Sequence, residues 1–121
     1  SEVFKGSIIS YSNVLKKSLL NISEDQLKRY GAVSEEVAEA MSINAKEKLS
    51  ADWAISISGI AGPNGGSQEK PVGLVYISIA GPKNHITNIK KIFNSTRNRV
   101  EIQTLSVNVC LNSLRLILLS K

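Results

Sequence analysis

The chain has 121 residues, enough for one domain with a buried core, and its 42% hydrophobic and 21% charged residues exclude a disordered protein. One cysteine excludes a disulfide framework and a multi-cysteine zinc site, and one histidine argues against a histidine metal cluster or a Ser-His-Asp triad. The formal net charge of +5 comes entirely from residues 51–121, where eight basic residues stand against three acidic ones.

This positive excess favours an anionic partner, because clustered positive charge raises the local concentration of phosphates. Aromatic residues make up only 5% of the chain and no dense basic stripe is present, so a small phosphorylated ligand fits better than a nucleic acid. No uninterrupted apolar run approaches the ~20 residues of a membrane span. We therefore expect a soluble cytoplasmic domain with no membrane partner.

In the first part of the chain the sequence predicts one strand and two helices. Phe4–Tyr11 is apolar with partial alternation and reads as a strand. Ser23 is a typical N-cap for a helix that ends near Tyr30, with Gly31 at its C-terminal side. Ser34 caps a longer helix. The core-facing side of that helix holds Val37, Ala38, Met41, Ala45 and Leu49.

The second part predicts three strands and a long helix. Trp53–Ser58 is a short buried strand, and Val72–Ala80 and Ile86–Phe93 form a hairpin. A helix is predicted over Arg97–Leu119, and it is apolar on most sides. Such a helix is expected to contact another subunit as well as the sheet, which favours a homo-oligomer and, most simply, a dimer. This order of elements implies an α/β domain with a mixed sheet.

The thirteen-residue segment Gly59–Pro71 is the strongest candidate for a ligand site. It contains four glycines, which let a ligand approach backbone N–H groups that can bind an anion or an oxyanion. Ser67, Glu69 and Lys70 add a hydroxyl, a carboxylate and an ammonium. The segment is neither a Walker A loop nor a dinucleotide-binding fingerprint. A long surface turn with solvated charges is the alternative.

Two further groups of residues could carry chemistry. Tyr11 ends the first predicted strand, and Lys16 follows within two helical turns. If burial lowers its pKa, Lys16 could serve as a base beside the tyrosine. The alternative is that Lys16 and Lys17 are two exposed lysines. Arg97 and Arg99 lie at the start of the last helix, where an arginine together with the free backbone N–H groups can bind a phosphate. The alternative is that both arginines are exposed and bind nothing. Cys110 is expected to be a buried, inert thiol.

Three motifs resemble one known family. Ser58-Gly59-Ile60-Ala61-Gly62-Pro63, followed by Gly65-Gly66-Ser67 and Glu69-Lys70-Pro71-Val72-Gly73, closely resembles the long loop of the CinA C-terminal domain family. Tyr11-Ser12-Asn13 and Gly31-Ala32-Val33-Ser34 match two further segments of that family in order and spacing. The resemblance runs across residues 1–121 as a single domain and implies a three-layer α/β/α fold.

The resemblance also implies an activity, the deamidation of nicotinamide mononucleotide to nicotinic acid mononucleotide and ammonia, without metal or cofactor. It implies catalytic roles for Lys16 and Tyr11. The family's serine nucleophile lies in an Ala-Glu-Ser-x-Thr-Gly-Gly segment that this sequence does not contain. We therefore expect a domain that lacks its first strand and helix. Whether these 121 residues are active by themselves is left open. A non-catalytic binding module linked to competence and DNA damage is the alternative. The substrate-binding residues expected on this basis are Ser58, Gly59, Ala61, Gly62, Gly65, Gly66, Ser67, Glu69, Lys70 and, for the 5′-phosphate, Arg97.

Overall fold

Polar side chains cap the start of each of the four helices. Ser12, Ser23 and Ser34 accept hydrogen bonds from backbone N–H groups three residues later, and Asn98 forms a capping box with Glu101. The computed structural model describes residues 2–121. In it the helices are α1 (Asn13–Leu20), α2 (Glu24–Tyr30), α3 (Glu35–Lys48) and α4 (Arg99–Leu119).

Three strands form one antiparallel sheet in chain order, β1 (Ala54–Gly59), β2 (Leu74–Ala80) and β3 (Ile86–Ile92). The register places Ile57 opposite Ile77, and Ile77 opposite Ile89. All seven residues of β2 are buried or half-buried because helices cover both of its faces. The predicted hairpin is thereby confirmed, with boundaries shifted by at most two residues.

The core has one part on each side of the sheet. On the α4 side, Val75, Ile77 and Ile79 of β2 pack with Ile102 and Cys110. On the other side, α3 lies against the sheet and shares a second apolar cluster with α1 and α2. That cluster holds Leu20, Ile22, Leu27, Val37 and Met41. The predicted α/β class and its three-layer arrangement are confirmed.

The contact between α3 and the sheet is made by small polar residues. The Ser42 and Ser78 hydroxyl oxygens lie 2.9 Å apart, and both residues are fully buried. Ser56 of β1 donates a hydrogen bond to the Ala38 carbonyl of α3. Because serine is small and each hydroxyl finds a partner, the helix can approach the strands closely without leaving polar atoms unpaired.

Helix α4 is the least covered element. Ile102, Ser106 and Cys110 face the sheet, and most other apolar side chains remain exposed. With 21 residues and only three charges, it is long and apolar enough to cross a membrane, as core helices of other proteins also are. Our expectation that no apolar segment is long enough was therefore wrong, because it counted uninterrupted runs instead of the whole helix. The dimer contact expected for this helix stays a prediction. The apolar side chains of α4 that remain exposed, and that such a contact would cover, are Val100, Val107, Leu111, Leu116, Leu118 and Leu119.

Three further features of the fold differ from the prediction. Phe4–Tyr11 is not a strand: Gly6, Ile8 and Ser10 alternate inward as in an extended chain, but the three-stranded sheet found within residues 2–121 does not include this segment. Helix α1, which holds Lys16, was not predicted at all. The sheet within the same described range is antiparallel throughout, not mixed.

The tight contact between α3 and the sheet predicts a clear asymmetry between two serine-to-leucine substitutions. Ser42→Leu should lower the free energy of unfolding by about 1–3 kcal/mol, since three added carbons cannot fit between α3 and β2. Ser18→Leu, at an exposed position on α1, should change it by less than about 0.5 kcal/mol. Urea titration of both variants measures the difference, and equal effects would contradict the close packing.

Candidate functional site

A groove separates the extended segment Ser7–Tyr11 from the outer edge of β1. It consists of two adjoining cavities of about 830 Å³ and about 670 Å³, which share Ile9, Tyr11, Ile57 and Gly59 as lining residues. The larger cavity opens on the α4 side and the smaller one on the α3 side. Both are of a size that suits a small-molecule ligand.

Lys16 lies in the wall of the smaller cavity and is 7% exposed. Its ammonium donates a hydrogen bond to the Ser10 carbonyl at 2.5 Å. No carboxylate pairs with it anywhere in residues 2–121. Burial without a counter-charge disfavours the ammonium form and lowers the pKa of Lys16 from its ordinary 10.5. The burial that proton transfer requires is therefore present, and the exposed alternative is wrong.

Tyr11 and Ser58 stand on opposite sides of the groove. The Tyr11 ring is 85% exposed at the boundary between the two cavities, where a bound molecule would meet it. Ser58 is buried near the end of β1, and its hydroxyl donates to the Ala32 carbonyl at 2.6 Å. One cavity is thus lined by both residues predicted to be catalytic, Tyr11 and Lys16, and by two of the predicted binding residues, Ser58 and Gly59. Their roles stay predictions.

The loop after β1 presents unpaired backbone donors to the larger cavity. Gly62 has φ = 79°, and a Cβ there would lie 2.7 Å from the Val72 side chain, so only glycine lets the loop fold back at this point. Within the described chain, four N–H groups of the loop residues after β1 that line this cavity donate no hydrogen bond. Such a set can bind an anion or a developing oxyanion. They belong to Ala61, Gly62, Asn64 and Gly65.

Side-chain hydrogen bonds hold this loop in position. Arg99, the first residue of α4, donates to the Gly62 carbonyl at 3.0 Å and also lines the larger cavity. Ser67 and Lys70 close a tight turn by two mutual hydrogen bonds. The Lys70 ammonium donates to the Tyr30 carbonyl at 2.6 Å. The loop is therefore held at its tip by α4 and on its return by the end of α2.

The remaining predicted residues do not line either cavity. Gly66, Ser67 and Glu69 are exposed on the returning half of the loop, and the ammonium of Lys70 points to α2. Arg97 forms an exposed ion pair with Glu101 at 3.4 Å. Their predicted contacts with substrate stay predictions.

Two findings concern α4. Gln103 lines the larger cavity one helical turn after Arg99, and sequence analysis missed it although its spacing of four residues from Arg99 was a usable signal. Cys110 is buried as expected, and burial raises the pKa of its thiol to about 12. Such a thiol is not a nucleophile at neutral pH.

Comparison with known proteins identifies one family. Residues 1–118 match the CinA C-terminal domain. A CinA-like protein of Prochlorococcus marinus strain AS9601 is 84% identical over 120 residues, and one of Nostoc punctiforme is 46% identical over 121 residues. These alignments cover 99% and 100% of this chain but only 28% and 29% of the relatives, so the chain spans little more than a quarter of their length.

Solved structures share the fold. The competence/damage-inducible protein CihA from Agrobacterium tumefaciens superposes with a TM-score of 0.85 at 33% identity, over 92% of this chain and 66% of that protein. A competence-damaged protein (CinA) superfamily protein from Escherichia coli gives a TM-score of 0.80 at 31% identity, over 87% of this chain and 59% of that one. The arrangement of helices and sheet described above is thus found in experimental structures.

The burial of Lys16 predicts a pH dependence of stability. The unfolded chain holds the Lys16 proton up to pH 10.5, whereas the native chain releases it at lower pH, so the free energy of unfolding should rise with pH between the lowered pKa and 10.5. Urea titrations from pH 7 to 9, below the range in which the raised pKa of Cys110 makes stability fall with pH, should show this rise in the wild type and in Lys17→Met, but not in Lys16→Met. The same rise in Lys16→Met would assign it to another group.

Proposed function

The chain belongs to the CinA C-terminal domain family, and we propose that in the longer protein it hydrolyses the carboxamide of nicotinamide mononucleotide. The products would be nicotinic acid mononucleotide and ammonia. We place the reaction in the cytoplasm, as part of pyridine-nucleotide recycling, and the proposed chemistry uses no metal or cofactor. The activity itself follows from the family resemblance, and the groove supplies groups that suit it.

One observation carries the proposal: a buried lysine with a lowered pKa lies in the same groove as a cluster of unpaired loop N–H groups. Amide hydrolysis needs a group that moves protons near neutral pH and donors for the oxygen that becomes negative. Lys16 suits the first requirement because its burial lowers the pKa of its ammonium group and so favours the neutral amine. The N–H groups of Ala61, Gly62, Asn64 and Gly65 suit the second requirement.

The proposed reaction is acyl transfer in two stages. A hydroxyl attacks the carboxamide carbon while neutral Lys16 accepts its proton, and the loop N–H groups stabilise the tetrahedral oxyanion. The proton then passes to the leaving nitrogen, ammonia departs, and an ester remains. Water hydrolyses this ester by the same route and restores the hydroxyl. Tyr11, at the boundary of the cavities, would orient the ring or relay the proton.

The resemblance implies that the attacking hydroxyl belongs to a serine in a segment that these 121 residues do not contain. The groove beside β1 supports this assignment, because it leaves space next to Lys16 and Gly59 for a further segment or for substrate. Ser58 is a poor alternative as nucleophile, since its hydroxyl is buried and already donates to the Ala32 carbonyl.

Ammonia release from nicotinamide mononucleotide tests the proposed role of Lys16. In the full-length protein, Lys16→Met should lower kcat by about 10²- to 10⁴-fold, as expected for the loss of a general base. Lys16→Arg should not restore activity, since a guanidinium keeps its proton. Exposed Lys17→Met is the matched control and should keep wild-type turnover.

A comparison of two chain lengths tests the position of the nucleophile. The 121-residue chain should release no ammonia, whereas the full-length protein should. Activity in both would place the nucleophile within residues 1–121, and activity in neither would favour a non-catalytic binding module. Wild-type turnover in Lys16→Met would remove Lys16 from the mechanism.

The 5′-phosphate would be bound near the start of α4. The sequence favours Arg97, but Arg97 is paired with Glu101 on the exposed surface. We therefore propose Arg99 as the main phosphate ligand, because it lines the larger cavity next to the unpaired loop amides. Gln103 lines the same cavity and could add a neutral hydrogen bond.

Substitution of the two arginines separates these assignments. Arg99→Leu should raise KM for nicotinamide mononucleotide at least tenfold, since a charge-assisted hydrogen bond contributes about 1.5–3 kcal/mol. Arg97→Leu should raise it less. For nicotinamide riboside, which lacks the phosphate, Arg97→Leu should leave KM unchanged, and Arg99→Leu should raise KM less than for the mononucleotide, since only its attachment to the Gly62 carbonyl is then lost. A larger effect at Arg97 would reassign the phosphate to that residue.

A further inference from the structure

We infer that Lys70 is a positioning residue that holds the glycine-rich loop in place through the end of α2, and that it does not contact the substrate. Its ammonium donates to the Tyr30 carbonyl at 2.6 Å, across 40 residues of sequence. Tyr30 is the last residue of α2, where backbone carbonyls lack helical partners. A cation is also favoured at this end of a helix by its dipole.

The residue after Tyr30 is Gly31, and its lack of a side chain leaves room for the Lys70 ammonium. Gly31 has φ = 78° and ψ = 162°, a backbone conformation that is essentially confined to glycine. A Cβ at this position would lie 2.8 Å from the Lys70 ammonium nitrogen. Gly31 thus has two reasons to be glycine, its backbone conformation and the space that the ammonium occupies.

The same corner of the chain also holds the other side of the loop. Ala32, directly after Gly31, accepts the hydrogen bond from Ser58 just before the loop begins. Lys70 reaches Tyr30 just before the loop ends. Both ends of the loop are therefore attached at the α2–α3 corner, to two carbonyls that lie on either side of Gly31, and the unpaired N–H groups lie between these attachments.

Loss of one attachment should let the returning half of the loop move while Ser58 still holds its start. The donors would then point less well at an oxyanion, and a displacement of about 1 Å in such a group can cost about 100-fold in rate. This reasoning depends on the proposed function only for its kinetic consequence. The attachment itself is a structural claim and has a separate measurement.

The kinetic test is a double-mutant cycle in the full-length protein. Lys70→Met removes the ammonium, and Gly31→Ala displaces it while leaving the charge in place. Each should lower kcat about 10- to 100-fold with a smaller change in KM, and the double variant should be no slower than the slower single one. Lys70→Arg should recover most of the activity because it keeps a donor. Lys91→Met, at an exposed position on β3, is the matched control for loss of one positive charge.

The structural test is cleavage by a glutamate-specific protease after exposed Glu69, followed by mass spectrometry. Lys70→Met and Gly31→Ala should both be cleaved faster there than the wild type, and Lys91→Met at the wild-type rate. Gly31→Ala leaves the cleaved sequence unchanged, which separates loop motion from protease preference. Should Gly31→Ala fail to fold, Lys70→Met and Lys70→Arg still give opposite expected results.

Two results would overturn the inference. Additive losses in the double variant, or a higher KM in Lys70→Met alone, would make Lys70 a substrate contact. Unchanged cleavage after Glu69 in both variants would show that the attachment does not hold the loop. If the wild-type protein releases no ammonia, the proposed function fails, but the cleavage experiment still decides the role of Lys70.

Discussion

The close approach of α3 to the sheet is the constraint on which the position of the site depends. The Ser42–Ser78 contact at 2.9 Å and the bond from Ser56 to the Ala38 carbonyl fix the first half of α3 against β1 and β2. The chain that leads into α3 must then pass the end of β1, where Ser58 binds the Ala32 carbonyl. Larger side chains between helix and sheet would move this corner away from the strand end, and with it both attachments of the glycine-rich loop.

The loop combines many glycines with a fixed position, because its stability comes from attachments outside it. Ser58, Arg99 and Lys70 connect the start, the first turn and the return of the loop to the α2–α3 corner, to α4 and to the end of α2. The N–H groups between these points can stay unpaired, since the loop does not need them to hold its own shape. Donors that are oriented before the reaction stabilise a transition state without further reorganisation, which is the usual source of oxyanion stabilisation.

Local signals predicted most of the elements. The caps at Ser23 and Ser34, the glycine after α2 and the β2–β3 hairpin depend on neighbouring residues, so one sequence suffices to find them. Strand formation by Phe4–Tyr11 depends on a partner at a distance, which a pattern of apolar residues does not reveal. For the site, glycine content identified the loop. The contacts that position it, from Lys70 to Tyr30 and from Arg99 to Gly62, join residues about 40 apart and carry no local signal.

Lys16 shows why burial and charge partners must be considered together. A carboxylate beside the ammonium would offset its desolvation and raise its pKa back towards the ordinary value. The partner found instead is the Ser10 carbonyl, a dipole that satisfies one N–H bond but supplies no negative charge. Because residues 2–121 provide no acidic partner for it, the neutral amine is accessible at lower pH than in an exposed lysine. The same lowered pKa that reduces the stability of the domain is the property that the proposed role of Lys16 as a proton acceptor requires.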